Sequence, residues 1–438
     1  MNAVSQPATY ANPHVPAPAN ARRNIVGACI GTFTEYYDIG IYALVAPSIA
    51  TSFFPHGNPT AATLNTFAIF ALGFLARPLG GILFGFLGDR IGRTRTLAAA
   101  ILLMAASTVA IGVLPTWETA GVLAPLLLLV CRVVQSISVG GEFSGATSYL
   151  IETTEPRKRG TVIGILNSSV AIPFIVSIGV VFGISAALSD AAFNSWGWRI
   201  PFLLAAPLGI IGLYLRLRLK ESAAFTEMKE NGAEPGNPLM TGIRTQWRKM
   251  LLLFCAAAVT ASSYYILSAY MVTYTTTTLG YARETALLVN GAATVFFAAS
   301  IILGGFAADR FGRRPVILTG LVGLICLGIP SFLLVTAGHA ALAVLGQITF
   351  AICMGPVSTT VFILAGELFP TPVRYTCNAV SYNFAYAIFG GSAPFVATWL
   401  IDITDLKIAP ALYTTSIATV SIVILAIFLK ETREAELG

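Results

Sequence analysis

One stretch shows how the whole chain is organised, because it recurs in the second half: Gly85-Phe-Leu-Gly-Asp89-Arg90-Ile-Gly92-Arg93-Thr-Arg95. It is a short charged loop with glycines, and it lies between two long apolar segments. A second copy, Gly305-Phe-Ala-Ala-Asp309-Arg310-Phe-Gly312-Arg313-Arg314, also lies between apolar segments, and Asp309 follows Asp89 by 220 positions. An unusual loop repeated half a chain apart predicts two structural repeats.

A second pair of charged residues repeats with nearly the same offset. Glu152 and Arg159 are seven positions apart, and so are Glu367 and Arg374, with Glu367 following Glu152 by 215 positions. The halves therefore repeat in more than one feature.

The composition of the 438-residue chain is typical of a membrane protein. Hydrophobic residues make up 56% and charged residues only 11%, whereas about a quarter of the residues in soluble proteins are charged. Uncharged apolar segments of about 20 residues are typical of membrane-spanning helices. The sequence therefore predicts an all-α membrane protein.

We expect twelve transmembrane helices, spans one to twelve, in two six-helix halves related by pseudo-symmetry. They are predicted near 25–50, 64–88, 96–114, 121–150, 161–187, 199–218, 250–278, 285–308, 315–336, 340–365, 375–400 and 410–430. The predicted domains are a disordered cytoplasmic tail, an N-terminal half, a polar cytoplasmic linker, a C-terminal half and a short cytoplasmic tail, at 1–23, 24–219, 220–248, 249–430 and 431–438.

The positions of the basic residues predict the orientation in the membrane. Most of the 26 Lys and Arg fall in loops on the side of the N-terminus, and only Arg199, Arg283 and Lys407 fall on or near the other side. Lys and Arg are enriched in cytoplasmic loops, so both termini are expected in the cytoplasm. The same distribution accounts for the net charge of +6 without nucleic acid as a partner.

No constellation for an enzyme, a metal or a cofactor stands out. The six cysteines lie in or beside apolar segments without C-x-x-C spacing, and the histidines lie in the tail and in outer loops. No lysine follows a glycine, so no phosphate-binding G-x-x-x-x-G-K-[ST] loop is present. We therefore expect no enzymatic activity, no metal and no cofactor, and an ion gradient rather than ATP as the energy source.

Several motifs together resemble a known family of transporters. They are Thr34-Glu-Tyr-Tyr-Asp38, Arg77-Pro-Leu-Gly-Gly81, Gln135-Ser-Ile-Ser-Val-Gly-Gly-Glu142, Trp196-Gly-Trp-Arg-Ile-Pro201 and Glu367-Leu-Phe-Pro-Thr-Pro-Val-Arg374. With the repeated loop, they are similar to the major facilitator superfamily and, within it, to the metabolite:proton symporters. That family includes carriers of proline/betaine, α-ketoglutarate, citrate and shikimate, and the resemblance is nearest to the proline/betaine carriers. It implies a secondary transporter that works by alternating access.

Ionisable residues deep in the predicted spans are the candidates for proton coupling. At 1.5 Å per residue, Glu35 and Asp38 of span one lie near the middle of the bilayer, as do Arg77 of span two and Arg132 of span four. Glu142 lies further toward the cytoplasm. A buried carboxylate beside an arginine can bind and release a proton, so Glu35, Asp38 and Glu142 are predicted to couple protons, although a fixed structural ion pair remains the alternative.

The predicted substrate site combines these arginines with aromatic and polar side chains. Tyrosine rings can hold a quaternary ammonium group by cation–π attraction, although packing is the more common role of such rings. The central layer has as many acids as bases, which favours a zwitterion but leaves an organic acid possible. The candidate substrate residues are Tyr36, Tyr42, Arg77, Arg132, Gln135, Tyr264, Tyr265, Ser268, Tyr382 and Asn383.

The resemblance also implies a gate at the cytoplasmic side. In the superfamily, the aspartate of the repeated loop meets the N-terminal end of a neighbouring helix, and the arginines pair with acids. Such contacts hold the halves together until they rock apart; the alternative is that the arginines serve only as positive-inside anchors. The predicted gating residues are Gly85, Asp89, Arg90, Gly92, Arg93, Glu152, Arg159, Asp309, Arg310, Arg313, Glu367 and Arg374.

The sequence thus predicts a multi-pass protein of a bacterial inner membrane that imports a small zwitterion, such as proline or glycine betaine, with protons. Its partners are the substrate, protons and the lipid bilayer, and a monomer suffices for transport. The alternatives are an organic-acid:proton symporter, an efflux antiporter of the same fold, a non-transporting membrane sensor and, with least support, a membrane-embedded enzyme.

Overall fold

The computed structural model describes residues 33–55, 57–80, 83–84, 87, 93–138, 150–151, 154–217 and 238–433. All regular elements in these ranges are helical. Nine helices there are long and apolar enough to cross a membrane. The helical part of 33–53 and the shorter apolar helices Ala98–Val113 and Leu123–Ser138 account for three further spans. The predicted twelve-helix architecture is confirmed.

The helices follow the predicted spans closely. In the first half they are 33–44 with Ala46–Phe53, then Pro59–Leu75, Arg93–Val113, Leu123–Ser138, Arg159–Ser168 with Ala171–Ala187, and Ile200–Leu203 with Ala205–Leu217. In the second half they are Pro238–Tyr265 continuing to Thr278, Arg283–Phe311, Arg313–Thr336, Ala340–Glu367, Thr371–Ala385 continuing to Thr404, and Ala409–Phe428.

Span seven begins earlier than the hydropathy predicts. Its helix starts at Pro238, inside the stretch 220–248 that we expected to be a linker. Proline suits the first position of a helix because its φ angle is already helical and no N–H is needed there. The next residues, including Met240, Arg244 and Lys249, are good helix formers. Hydropathy marks where a helix enters the membrane, whereas the helix itself extends beyond that point.

Spans seven and eleven contain π-helical turns. Span seven is π-helical at Ile266–Tyr270 and again at Tyr274–Thr278, and span eleven at Tyr386–Gly390. Such turns accommodate an extra residue, loosen the carbonyl ladder and are frequent at functional sites. Asn290 of span eight donates from Nδ2 to the main-chain oxygen of Leu267 at 2.7 Å, so a neighbouring span supports the first π-turn.

The two halves meet along span two against span eleven and span five against span eight. At the second contact, the main chains of Gly160 and Gly305 approach so closely that a Cβ atom on Gly160 would lie 2.5 Å from the Gly305 oxygen. No larger residue fits at Gly160 without moving span eight. Spans one and seven also contact each other between these two seams, through Tyr36 and Tyr264.

Candidate functional site

Span one places Glu35 against Arg77 of span two. Glu35 Oε1 and Arg77 Nη2 are 3.1 Å apart, and the two side chains are 12% and 8% exposed. Removing a charge from water costs several kcal/mol unless it is paired. Each residue is therefore held in place by the charge of the other.

One helical turn further along span one, Asp38 binds Arg132 of span four. Arg132 Nη1 donates to Asp38 Oδ2 at 2.9 Å. The other carboxylate oxygen accepts hydrogen bonds from Thr108 Oγ1 at 2.9 Å and from Gln135 Nε2 at 2.7 Å. Gln135 also accepts a bond from Arg132 at 2.9 Å. Both oxygens of Asp38 are thus engaged in a buried network from three spans.

A small cavity connects the two ion pairs. Its volume of about 10 Å³ is the space of about one water molecule, too small for a substrate of several heavy atoms. The charged and polar residues that line it are Glu35, Asp38, Arg77, Arg132, Gln135 and Ser136.

Both arginines lie over aromatic rings. The Cζ atom of Arg77 is 4.1 Å from the centroid of the Phe74 ring, and that of Arg132 is 4.3 Å from the ring of Tyr42. A cation over a ring is stabilised by the negative face of the ring, more strongly where water is excluded. The Nε atoms of both arginines have no hydrogen-bond partner among the described residues, so each retains one unused donor.

Five tyrosines from both halves form a group, the tyrosine cluster, next to the first ion pair. Its members are Tyr36, Tyr264, Tyr265, Tyr382 and Tyr386. Ring centroids are 6.2 Å apart for Tyr36 and Tyr264, 5.2 Å for Tyr264 and Tyr265, and 4.0 Å for Tyr382 and Tyr386. Phe74 links the cluster to Arg77, since its ring lies 5.1 Å from that of Tyr265.

Two other predicted substrate residues, Tyr42 and Ser268, use their hydroxyl groups in hydrogen bonds to main-chain oxygens. The Tyr42 hydroxyl donates to the main-chain oxygen of Thr66 at 3.0 Å while its ring supports Arg132. Ser268 Oγ donates to the oxygen of Tyr264 within span seven at 2.6 Å. Asn383 follows Tyr382 on span eleven and is partly exposed.

Several predicted residues lie outside the described part of the chain. They are Glu142 of the proton-coupling set and Gly85, Asp89, Arg90, Gly92 and Glu152 of the gating set. Arg93 begins the helix of span three.

The second copy of the charged loop joins the two halves at one end of the bundle. Asp309 accepts hydrogen bonds from the main-chain N–H groups of Gly160 and Thr161 at 2.8 and 2.7 Å, and from the Thr161 hydroxyl at 2.8 Å. These donors form the start of the helix Arg159–Ser168. A carboxylate there satisfies orphan N–H groups and complements the positive end of the helix dipole.

Arg313 and Glu367 form a buried pair beside Asp309. Arg313 donates from Nε and Nη2 to the two oxygens of Glu367 at 3.2 and 2.9 Å, and neither side chain is exposed. Arg159 of the first half lies 3.7 Å from the same carboxylate. We call Arg159, Asp309, Arg313 and Glu367 the latch, because they hold span five of one half to spans eight to ten of the other.

Arg310 and Arg374 are the remaining predicted gating arginines of the second half. Arg310 was expected to pair with an acid, but it is exposed and its guanidinium lies over the Phe311 ring, 5.4 Å from the centroid. None of the ion pairs among the described residues includes Arg310. Arg310 lies in the last turn of span eight, whereas the buried Arg313 begins span nine after Gly312. Arg374 is buried and donates from Nε to the main-chain oxygen of Phe369 at 3.1 Å, so it also fixes its own helix start.

The segment after span twelve folds back onto the latch. Glu431 accepts hydrogen bonds from the N–H groups of Arg313 and Arg314 at 2.8 and 3.1 Å, at the start of span nine. The Thr432 hydroxyl donates to Glu367 at 2.6 Å and is buried. Burial alone raises the pKa of Glu431, but its bonds from main-chain N–H groups prevail, and the pKa is lowered below the ordinary glutamate value.

A different contact joins the halves at the opposite end of the bundle. Arg283, at the start of span eight, donates to Asp190 at 3.1 Å and to Asn194 at 2.8 Å. Its guanidinium lies 4.2 Å from the centroid of the buried Phe193 ring. The described parts of the two halves are therefore bridged at both ends of the bundle.

Sequence reasoning missed Thr108, Phe74 and the contact of Arg283 with Asp190. A signal existed for Arg283, which is one of the few basic residues on its side of the protein. Thr108 and Phe74 carried none, because hydroxyl groups and aromatic rings are common in membrane spans.

Comparison with known proteins gives consistent matches over nearly the whole chain. The family model described as Major Facilitator Superfamily matches residues 28–394. The chain is 35% identical over 422 residues to the proline/betaine transporter of Escherichia coli K12, covering 94% of this chain and 84% of that protein. It is also 35% identical to the glycine betaine/proline/ectoine/pipecolic acid transporter OusA of Dickeya dadantii, with 94% and 83% covered.

Solved structures show the same fold at lower identity. The proton:xylose symporter XylE superposes with a TM-score of 0.75 at 18% identity, covering 96% of this chain and 98% of that one. The arrangement of helices is therefore shared between the two proteins.

Proposed function

The chain belongs to the Major Facilitator Superfamily, and we propose that it imports a small zwitterionic osmolyte, such as proline or glycine betaine, together with protons. The proposal rests on two buried ion pairs that lie beside the tyrosine cluster. They lie where the two halves meet, and the halves are bridged at both ends. Bacterial relatives that are 35% identical are named for these substrates.

The charges of the site suit a zwitterion. Glu35 and Asp38 balance Arg77 and Arg132, so a substrate without net charge leaves the site neutral. The carboxylate of such a substrate can take the place of Glu35 at Arg77. Its cationic end then finds tyrosine faces, which attract quaternary ammonium groups.

Displacement of Glu35 provides the coupling to protons. A carboxylate that loses its cation in an apolar surrounding is far more stable when protonated. Substrate binding at Arg77 therefore favours uptake of one proton by Glu35, and substrate release restores the ion pair and expels the proton. Asp38 accepts hydrogen bonds from Thr108 and Gln135 as well as from Arg132, and it is the less easily displaced of the two acids.

Alternating access then requires that one bridged end opens at a time. We place the latch end in the cytoplasm of a bacterial cell, because exposed basic residues gather there, as they do in cytoplasmic loops. They are Arg157, Lys158, Arg310 and Arg314. The contact of Arg283 with Asp190 then closes the outer end, and a monomer contains the whole path.

An organic acid is the second candidate substrate. The Nε donors of Arg77 and Arg132 are both unused, and a dicarboxylate could occupy both while one acid is protonated. This reading predicts transport of α-ketoglutarate or citrate instead of betaine.

Purified protein in liposomes tests these proposals. We expect labelled glycine betaine or proline to accumulate when the outside is made acidic, and the accumulation to vanish when a protonophore removes the pH difference. Accumulation of α-ketoglutarate, citrate or shikimate alone would favour the organic-acid symporter. Movement of the labelled substrate in the direction opposite to the proton flux would favour an efflux antiporter. If no solute moves in response to the pH difference, proton-coupled transport is refuted.

A further inference from the structure

The hydroxyl group of Tyr264 has no role in the ion-pair mechanism. The residue is 6% exposed, and its hydroxyl has no hydrogen-bond partner in the part of the chain that the structure describes. An unpaired buried hydroxyl costs about 1–3 kcal/mol. A phenylalanine would fill the same space without that cost, so the hydroxyl indicates a partner that arrives from outside the protein.

The surroundings place this hydroxyl where the halves meet. The Tyr264 ring is 6.2 Å from Tyr36, 5.8 Å from Phe174 and 5.9 Å from Phe297. These rings belong to spans one, five and eight, so both halves contribute. In a protein that works by alternating access, the substrate binds at this seam.

Hydrogen bonds within span seven and to span eight also fix the position of Tyr264. Its main-chain oxygen accepts the hydrogen bond from Ser268, and the π-turn Ile266–Tyr270 begins two residues after it. The π-turn is in turn bonded to Asn290 of span eight. A donor held in this way is preorganised for a ligand, which lowers the entropy cost of binding.

The face of span seven around Tyr264 bears hydroxyl groups and no acid. Thr260 lies one turn before Tyr264 on the same face of the helix, and Ser263 directly precedes Tyr264 in the chain. Their hydroxyls are likewise buried and without a partner among the described residues. Neutral donors attract an anionic group, and Glu35 on span one, once protonated, no longer repels that group.

We propose that the Tyr264 hydroxyl donates a hydrogen bond to the carboxylate of the substrate, and thereby selects betaines over cations that lack a carboxylate. This inference rests on the proposed function. A hydrogen bond to a charged group in a buried site is about twice as strong as a neutral one. Tyr264 is then a specificity-determining residue, and Arg77 shares the same carboxylate.

The test compares Tyr264→Phe with Tyr37→Phe in the same liposomes. Tyr37 is the matched control because its buried hydroxyl already donates to the main-chain oxygen of Pro201 at 3.0 Å. Two quantities are measured: the half-saturating concentration for labelled glycine betaine, and inhibition of its uptake by tetramethylammonium, a cation without a carboxylate. Thermal unfolding of each variant in detergent is followed in parallel.

For Tyr264→Phe we expect the half-saturating concentration of betaine to rise about tenfold or more, which corresponds to the loss of one bond to a charged group. The inhibition constant of tetramethylammonium should stay the same, and the unfolding temperature should stay the same or rise. Tyr37→Phe should show the reverse: a lower unfolding temperature and unchanged betaine affinity.

An unchanged betaine affinity in Tyr264→Phe would overturn the inference, and so would an equal loss for betaine and tetramethylammonium. Both outcomes leave the proposed function intact, since that is judged by uptake in the parent protein. A parent that fails to take up betaine or any other carboxylate-bearing zwitterion would overturn the proposed function itself.

Discussion

Tyr36 and Tyr264 occupy matching places in the two halves, and their rings meet edge to face with centroids 6.2 Å apart. Thr34-Glu-Tyr-Tyr-Asp38 of span one corresponds to Ser262-Ser-Tyr-Tyr-Ile266 of span seven, with Tyr264 following Tyr36 by 228 positions. The two tyrosines of each motif are kept, whereas the two acids are replaced by Ser263 and Ile266. One half therefore carries the charges and the other supplies neutral donors and rings.

The first prediction concerns Glu35. In Glu35→Gln we expect uptake driven by a pH difference to fall about 100-fold or more, the scale of a lost proton-transfer group. Exchange of labelled for unlabelled substrate should persist, because exchange needs no net release of protons. Both rates are measured in one liposome preparation. Uphill accumulation equal to that of the parent protein would show that Glu35 does not carry the proton.

The second prediction concerns the stability of the Asp38–Arg132 pair. Asp38→Asn leaves Arg132 buried without a counter-charge, which should destabilise the protein by about 3–5 kcal/mol. Arg132→Gln alone should be similarly harmful, and the double variant should recover much of the loss, because no unpaired charge remains. Gln347, which follows Arg132 by 215 positions, shows that the second half already has a glutamine there. Thermal unfolding of the three variants checks this, and additive losses would contradict it.

The third prediction concerns the latch. Asp309→Asn removes the charge that faces the N–H groups of Gly160 and Thr161, a loss of about 1.5–3 kcal/mol for the closed latch end. We expect a cysteine introduced at Ser358, which is buried against Asn167 of the other half, to react about tenfold faster with a thiol reagent. The measurement requires a background without the native cysteines.

Glu155→Gln is the matched control for the latch. Glu155 also lies just before span five, but its pair with Lys158 is exposed, with 72% and 70% of the side chains accessible. Exposed pairs contribute about 0–1 kcal/mol, so labelling of the same cysteine should hardly change. Equal labelling in Asp309→Asn and Glu155→Gln would remove the role assigned to Asp309.

The fourth prediction concerns pH and Glu431. Because the folded state lowers the pKa of this carboxyl group, its contribution to stability is complete above the ordinary glutamate pKa and disappears as the pH falls through the lowered value. At neutral pH, Glu431→Gln should cost about 0.5–1 kcal/mol, a typical value for an exposed helix cap. Unfolding curves of both proteins should converge in acid. A difference that stays constant at all pH values would contradict the assignment.

The sequence was sufficient for the fold, and for the identity of the charged residues in the membrane. Apolar segments of about 20 residues predict membrane-spanning helices, and the repeated charged loop predicts two halves. Charged residues such as Glu35 and Arg132 are rare in membrane spans, so they stand out in the sequence. The helical rise per residue then predicts that they lie at a common depth. Which acid meets which arginine depends on the rotation of each helix about its axis, and no spacing rule gives that angle.

The sequence did not predict the π-turns or the contacts of the segment after span twelve. A π-turn such as Ile266–Tyr270 depends on packing against Asn290, a contact between residues far apart in sequence. Glu431 and Thr432 follow the last apolar segment and have the composition of a solvated tail. Their contacts with Arg313 and Glu367 follow from the path of the chain at the end of span twelve.

The docked position of Glu431 and Thr432 has a practical consequence for anyone who purifies or images this protein. A fluorescent reporter or an affinity tag joined directly after Arg433 would disturb the segment that caps span nine and contacts Glu367. Such fusions should alter the balance between the two access states, so kinetic work calls for tags at the N-terminus or tags removed by proteolysis.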